Sequence, residues 1–284
     1  MDVIFIFNFT MFLCFAFFII WRNTSFLVHF KPWFSNKKVL FLIAHPDDEV
    51  MFFGPSIFQI KNDNEIYLVC LSNGFFKKRI MKKLTYVLGN AEGLGEIRKK
   101  ELIKSCNILG ILPQNIKIVE NSQLQDSMTS YWDPNFISQL LSEIIADKNI
   151  DILITFDHFG ISKHPNHIAC YHGAISFFDS LETRKTSIYV LTTVSILRKY
   201  IFFFDLFITM ALYLYYKLLN TSILRLFNNK DRKDTIYFFI NSPFDVFNLQ
   251  KAMIEGHSSQ MKWFRWLYIF TSRYMLLNEL KKKK

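Results

Sequence analysis

The chain has 284 residues, with 34 Lys+Arg against 24 Asp+Glu for a net charge of +10, and 51% of it is hydrophobic, including 32 Phe. With 9 Gly and 7 Pro it is neither collagen-like nor low in complexity, and its apolar content excludes a disordered polyelectrolyte. The length suits one large domain or two small ones, the charge points to nucleic acid or a membrane surface, and the mean hydropathy of +0.15 is too low for a chain made mostly of membrane spans.

Residues 3–21 (VIFIFNFTMFLCFAFFIIW) carry no charge. At a helical rise of about 1.5 Å per residue this run nearly matches a hydrocarbon core of about 30 Å. Asp2 precedes it and no small-residue cleavage pattern follows. The sequence therefore predicts an uncleaved N-terminal transmembrane helix over residues 1–22, in preference to a signal peptide. A buried core helix is the alternative, but no face of the segment is polar. Arg22, Lys31, Lys37 and Lys38 follow the run, which by the positive-inside tendency puts the rest of the chain in the cytosol. Residues 23–37 are then a juxtamembrane linker.

Residues 38–44 (KVLFLIA) and 66–71 (IYLVCL) are short continuous apolar runs, the signature of fully buried parallel strands. A helix is expected between them, over 50–60. The basic run 77–83 (KKRIMKK) is a solvated face or a contact for anionic headgroups. Residues 95–109 read as an amphipathic helix stopped by Gly110. A strand over 116–119 follows. Next comes a helix over 134–146, with Asp133 as N-cap and Pro134 in the first turn. A strand over 150–156, a helix over 164–178 and a strand over 187–193 complete the pattern. Such alternation predicts an α/β fold, a doubly wound, mostly parallel sheet, in which ligands sit outside the carboxyl ends of the strands. The apolar run 201–219 contains Asp205 and Lys217, so it is read as a core or membrane-contacting helix before a second span. The chain ends in Lys281–Lys284, a basic tail that also resembles a dilysine retrieval signal. Cys14, Cys70, Cys106 and Cys170 form no C-x-x-C pair and are expected as free thiols, three of them buried in the cytosolic domain.

The chemistry-bearing residues follow two of these strands. After the first stands His45-Pro46-Asp47-Asp48-Glu49; after the fourth stands Asp157 and then His164-Pro165-Asn166-His167. His45, Asp48 and His167 make a 2-His-1-carboxylate set with an open position for a water whose pKa a divalent ion lowers to roughly 7. The same set serves non-haem iron oxygenases. Asp47 beside it favours hydrolysis, as a general base, with His164 as proton donor or oxyanion partner. The plainer alternative is a helix start whose acidic residues suit the helix dipole. No P-loop, G-x-G-x-x-G, G-x-S-x-G or H-E-x-x-H pattern occurs, and no nucleic-acid module is recognisable.

These two motifs resemble the LmbE-like de-N-acetylases, metal-dependent amidases of Rossmann-like fold acting on N-acetylglucosamine conjugates. Residues 89–98 (GNAEGLGEIR), 124–128 (LQDSM), 257–265 (HSSQMKWFR), 267–269 and 272–275 are similar to the eukaryotic branch, which acts on N-acetylglucosaminyl-phosphatidylinositol in the second step of GPI-anchor assembly. The resemblance spans residues 38–280, expected as one catalytic domain. It implies His45, Asp48 and His167 as metal ligands, with zinc the first candidate among divalent ions, Asp47 as general base and His164 as acid or electrophilic partner. It further implies Arg98 and Asp126 as contacts to the sugar or inositol, a glycolipid substrate, and an endoplasmic-reticulum membrane enzyme whose catalytic domain faces the cytosol. Arg98 could instead be a helix-surface cation paired with Glu101, and Asp126 a turn residue. Lys163 stands where the family usually has a small residue, often Gly. The rival readings are a de-N-acetylase for another N-acetylglucosamine conjugate and an inactive membrane scaffold of the same fold.

Overall fold

The run KVLFLI folds as β1 (Lys38–Ile43), and Val39 to Ile43 are completely buried. A strand apolar on both faces has to be covered on both, which suits the middle of a parallel sheet. The computed structural model describes residues 34–74, 94–180, 185–219 and 236–283. The expected anchor at 1–22 and the basic run at 77–83 lie outside the described residues. Among the described residues no helix is long and apolar enough to cross a membrane.

Six more strands join β1: β2 (Glu65–Cys70), β3 (Ile116–Ile118), β4 (Ile152–Phe156), β5 (Ser187–Leu191), β6 (Ile236–Ile240) and β7 (Leu277–Lys282). The order across the sheet is β3-β2-β1-β4-β5-β7-β6. The first five strands are parallel, and β7 runs antiparallel to both β5 and β6. Phe41 of β1 lies opposite Leu68 of β2 on one side and Ile154 of β4 on the other. The order reverses between β1 and β4, so a crevice opens there at the carboxyl ends, where both motifs begin.

The connecting helices are α1 (Asp48–Phe52), α2 (Gly54–Ile60), α3 (Leu94–Leu109), α4 (Pro134–Lys148) and α5 (Pro165–Ser180). The single helix expected over 50–60 is two short ones, broken at Phe53. The Asp133 carboxylate caps α4 by accepting from Asn135 N, as its position predicts. Right-handed crossovers put α2 and α3 on one face of the sheet and α4 and α5 on the other. The packing of α4 on α5, and of α3 on the turn at Ala252–Gly256, agrees with that division.

β6 and β7 are additions to the expected fold. Lys281 and Lys282, read as tail, are strand residues of β7, paired with β5 through Val190↔Lys281 and Tyr189↔Lys282. The segment LNELKK has little intrinsic strand character; its place comes from burial of Leu277 and Leu280 and from Asn278. Asn278 is buried. Its Oδ1 accepts from Ser56 N and Oγ, and its Nδ2 donates to Phe52 O, pinning α1 and α2 to the sheet.

The apolar run at 201–219 is divided. α6 (Ile196–Tyr200) leads into α7 (Phe204–Leu219). Asp205 is buried and pairs with Arg198 (2.6 Å) and Arg273 (2.7 Å), so its charge is turned into the protein. Phe202 and Phe203 pack on a small cluster of Leu206, Ile240, Val246, Leu276 and Leu277. Two further helices, α8 (Pro243–Lys251) and α9 (Trp263–Thr271), lie between β6 and β7 in sequence. Cys70, Cys106 and Cys170 are buried free thiols, as expected, and burial pushes each thiol pKa up.

Candidate active site

The turn after β1 is built around two carboxylates. Asp48 is buried, and its Oδ2 accepts from Ala44 N (3.0 Å) and His45 N (2.8 Å). These bonds leave Oδ1 to face the crevice. Asp47 has φ +119°, a left-handed conformation that is strained for any residue with a Cβ. Its N–H donates to Glu49 Oε2 at 3.0 Å. Glu49, fully buried, also accepts from Ser105 Oγ and His257 Nε2, both at 2.6 Å on Oε1. The Glu49 carboxylate thus ties the strained Asp47 peptide to α3 and to the chain after α8.

The turn after β4 is built around Asp157. Its Oδ1 accepts from Phe159 N, Gly160 N and Thr193 Oγ1, and its Oδ2 from Thr193 N. This fold-back points the Gly160 carbonyl at His167, whose Nδ1 donates to it at 3.1 Å. Gly160 has φ +56°, and a Cβ there would lie 2.9 Å from His167 Cβ, so only glycine fits. The His167 ring stacks on Phe156 with centroids 4.1 Å apart.

With its proton on Nδ1, His167 presents a lone pair at Nε2. That atom is buried with no hydrogen-bond partner, 3.2 Å from Asp48 Oδ1. A lone pair facing a carboxylate oxygen needs a proton or a cation between them. His45 completes the group: its Nε2 lies 3.0 Å from Asn166 Nδ2 and 3.2 Å from Asp126 Oδ1, and its Nδ1 lies 3.8 Å from Asp48 Oδ2. Metal–ligand bonds of about 2.0–2.2 Å separate neighbouring ligand atoms by about 3–3.5 Å, a spacing that His167 Nε2 and Asp48 Oδ1 already have. Partners on the outer nitrogens of both histidines are the usual means of orienting metal ligands.

Burial lowers the pKa of His45 well below 6.5. Burial also lowers His164, helped by the neighbouring His167. Burial would pull His167 down as well, but Asp48 outweighs it and the pKa is raised. Burial would raise Asp48, but His167 holds its carboxyl below the usual value. Neutral imidazole at His45 and ionised carboxylate at Asp48 are the forms that bind metal.

His164 is brought into the same cluster. The ligand atoms of His45, His164 and His167 all lie within 4.8 Å of one another. Unlike the other two, His164 is only part-buried, and its Nδ1 accepts weakly from Asn166 N at 3.3 Å. That bond leaves the proton of a neutral His164 ring on Nε2.

The sequence profile of the family described as PIG-L, GlcNAc-PI de-N-acetylase, matches residues 40–178. A relative from Schizosaccharomyces pombe, a probable N-acetylglucosaminyl-phosphatidylinositol de-N-acetylase, is 38% identical over 248 residues, covering 87% of each chain. The chain belongs to this GlcNAc-PI de-N-acetylase family. The Bos taurus N-acetylglucosaminyl-phosphatidylinositol de-N-acetylase is 33% identical, over 87% of this chain and 83% of its own. Among solved structures, the N,N'-diacetylchitobiose deacetylase of Pyrococcus horikoshii aligns with a TM-score of 0.57 at 18% identity, covering 94% of this chain and 91% of its own, a likeness of fold.

Within this chain, Arg98 and Asp126 are joined. Arg98 Nη1 reaches Asp126 Oδ2 at 3.3 Å, and Nη2 donates to Gln260 Oε1 (2.7 Å) and Pro46 O (3.4 Å). The alternative pairing with Glu101 does not occur, because that carboxylate accepts from Ser258 and Ser259. Asp126 is more than a turn residue, since it bridges Arg98 and His45. A Cβ at Gly74 (φ +77°) would collide with the Arg98 guanidinium, so glycine keeps that space open.

Several members of the site were not singled out from sequence. Gln260 links His257 Nδ1 to Pro46 O, extending the Glu49 support under the His45-Pro46 turn. Arg265 of α9 donates to Asp47 Oδ2. The only signal for them was the family-like segment 257–265, whose nearness to residues 45–49 no local spacing reveals. Lys163 is exposed with φ +60°, a left-handed backbone that a glycine would adopt without strain.

Proposed function

We propose that the protein removes the acetyl group of N-acetylglucosaminyl-phosphatidylinositol by hydrolysis, giving glucosaminyl-phosphatidylinositol and acetate, the second step of GPI-anchor assembly. The observation that carries the metal-dependent form of this reading is the buried, partnerless His167 Nε2 facing Asp48 Oδ1. Both relatives reported above are named for the same reaction.

His45, Asp48 and His167 would hold a divalent ion, zinc by preference. When bound, such an ion supplies Lewis acidity, acidifying a water and polarising the acetamide carbonyl. Asp47 accepts a proton from the attacking water as its oxygen bonds to the amide carbon. His164 donates from Nε2 to the carbonyl oxygen while negative charge develops there. Collapse breaks the C–N bond, and Asp47 returns the proton to the departing amine, so acetate and a free amine result. Arg265 fixes the orientation of the Asp47 carboxylate. Arg98, whose Nε has no partner, and Asp126 hold the sugar or inositol end of the substrate while supporting the His45 turn. Residues 1–22 anchor the protein in the endoplasmic-reticulum membrane, with the catalytic domain on the cytosolic side.

Two substitutions separate these roles. Asp47→Ala should lose turnover and keep metal by elemental analysis; a near-normal rate would remove Asp47 from the mechanism. His167→Ala should lose metal, and unchanged metal content would sink the ligand assignment.

A further inference from the structure

Three neighbouring helices, α6, α7 and α9, expose large apolar side chains, and α6 touches each of the other two. Ile196 and Leu197 of α6 are 76% and 72% exposed, and Trp263 of α9 is 76% exposed. Phe204 and Phe207 of α7 and Leu267 and Phe270 of α9 are exposed as well. The helices form one surface. α6 is tied to α7 through Arg198, which bonds Asp205 and Thr209, and α9 joins them through Phe202 N to Thr271 O (3.0 Å) and Tyr200 against Tyr268.

The charges of this region are withdrawn from that surface. Between residues 195 and 215 the charged residues are Arg198, Lys199 and Asp205. Asp205 is buried between Arg198 and Arg273. Lys199 is buried too, and its ammonium donates to Ile161 O at 2.7 Å. Every described side chain of that stretch that faces outward is uncharged. On α9, Arg265 is turned inward onto Asp47, while Lys262 stands exposed at the helix start.

We propose that the α6–α7–α9 face seats the protein in the interfacial layer of a lipid bilayer, beside the catalytic crevice. A protein partner would be expected to meet a polar rim, whereas hydrocarbon requires charges to be paired and turned away, as they are here. Trp263, Trp266 and Tyr200 are the residue types that settle at headgroup level. The net charge of +10 complements an anionic leaflet, and Lys262 lies at the edge of the face. In α7, Leu206 and Thr209 are buried while Phe204 and Phe207 are exposed, the one-sided packing of a helix that lies along an interface, and among the described residues no helix is long and apolar enough to cross a membrane. The choice of a bilayer rests on the lipid substrate proposed above: α9 carries the seating residues on one side and Arg265, bonded to Asp47, on the other. Seating therefore sets the crevice at the depth of a lipid headgroup.

The full chain, reconstituted in phosphatidylcholine–phosphatidylserine vesicles with or without brominated acyl chains, tests this. The difference in emission between the unsubstituted protein and Trp263→Phe/Trp266→Phe isolates the two tryptophans from Trp21, Trp33 and Trp132. That difference should be lost with brominated lipid and should resist acrylamide in the water. Quenching by acrylamide but not bromine would show a face in water, and protection from both would show a protein covering it; either result overturns the proposal. The measurement reads no chemistry, so its failure is distinct from a failure to release acetate.

Discussion

Glu49→Gln puts the architecture of the catalytic turn to a quantitative test. Three donors converge on the Glu49 carboxylate, which has no solvent exposure: Ser105 Oγ, His257 Nε2 and the Asp47 N–H. A glutamine has one acceptor oxygen. If it serves Ser105 and His257, its NH2 faces the Asp47 N–H, donor against donor. A buried donor left without a partner costs about 1–3 kcal/mol. The left-handed Asp47 backbone, itself costing roughly 1–2 kcal/mol, then loses its clamp. Denaturant titration of the metal-free protein should therefore show an unfolding free energy lowered by about 1–3 kcal/mol. Turnover should fall with metal content retained, because no ligand is altered. An unchanged unfolding free energy together with normal turnover would refute the idea that Glu49 holds Asp47 in place.

Other outcomes follow from the same contacts. Asp205→Asn leaves Arg198 and Arg273 uncompensated at a buried site, and thermal or denaturant unfolding should register a loss of about 3–5 kcal/mol. Lys163→Gly relieves a left-handed backbone costing roughly 1–2 kcal/mol against a glycine entropy cost of about 0.5–1 kcal/mol, so stability should hold or rise by up to about 1 kcal/mol. Arg265→Ala should lower kcat with metal content unchanged, since it frees the Asp47 carboxylate; an unchanged kcat would remove Arg265 from the site. His45 has its pKa lowered by burial, so the unfolded chain takes up a proton near pH 6.5 that the folded protein refuses. Its contribution to the metal-free protein is complete above pH 6.5 and is lost as the pH falls toward its lowered value. His167, raised, acts in the opposite sense. The acid-side loss of stability should accordingly be smaller in His45→Gln than in the parent.

The parts of the molecule that could be read in advance are those encoded locally. β1, β2, β4 and β5 are built on contiguous apolar runs, and the His45–Glu49 and His164–His167 motifs each follow a strand. The reversal of strand order then brings them together, which makes the pairing of His45 and Asp48 with His167 legible before any coordinates. β7 was not legible, because LNELKK becomes a strand only between β5 and β6. The break at Phe53 did have a local signal, Gly54-Pro55 at the start of the second helix, and Asn278 of β7 then holds Phe52 and Ser56 in place across it. The support of the site is equally nonlocal: His257 reaches Glu49 across 208 positions, and Arg265 reaches Asp47 across 218. Asp205 counted in sequence as a charge to be kept from the membrane, and its burial against two arginines removes that objection to an interfacial role.

The most direct test of the account is acetate release from N-acetylglucosaminyl-phosphatidylinositol by the purified full chain, with a chelator and then divalent metal added back. The account predicts release that the chelator abolishes, that added metal restores, and that Asp47→Ala lacks even when metal is bound. Failure to release acetate with any divalent metal, or release indifferent to both chelator and Asp47→Ala, would contradict it.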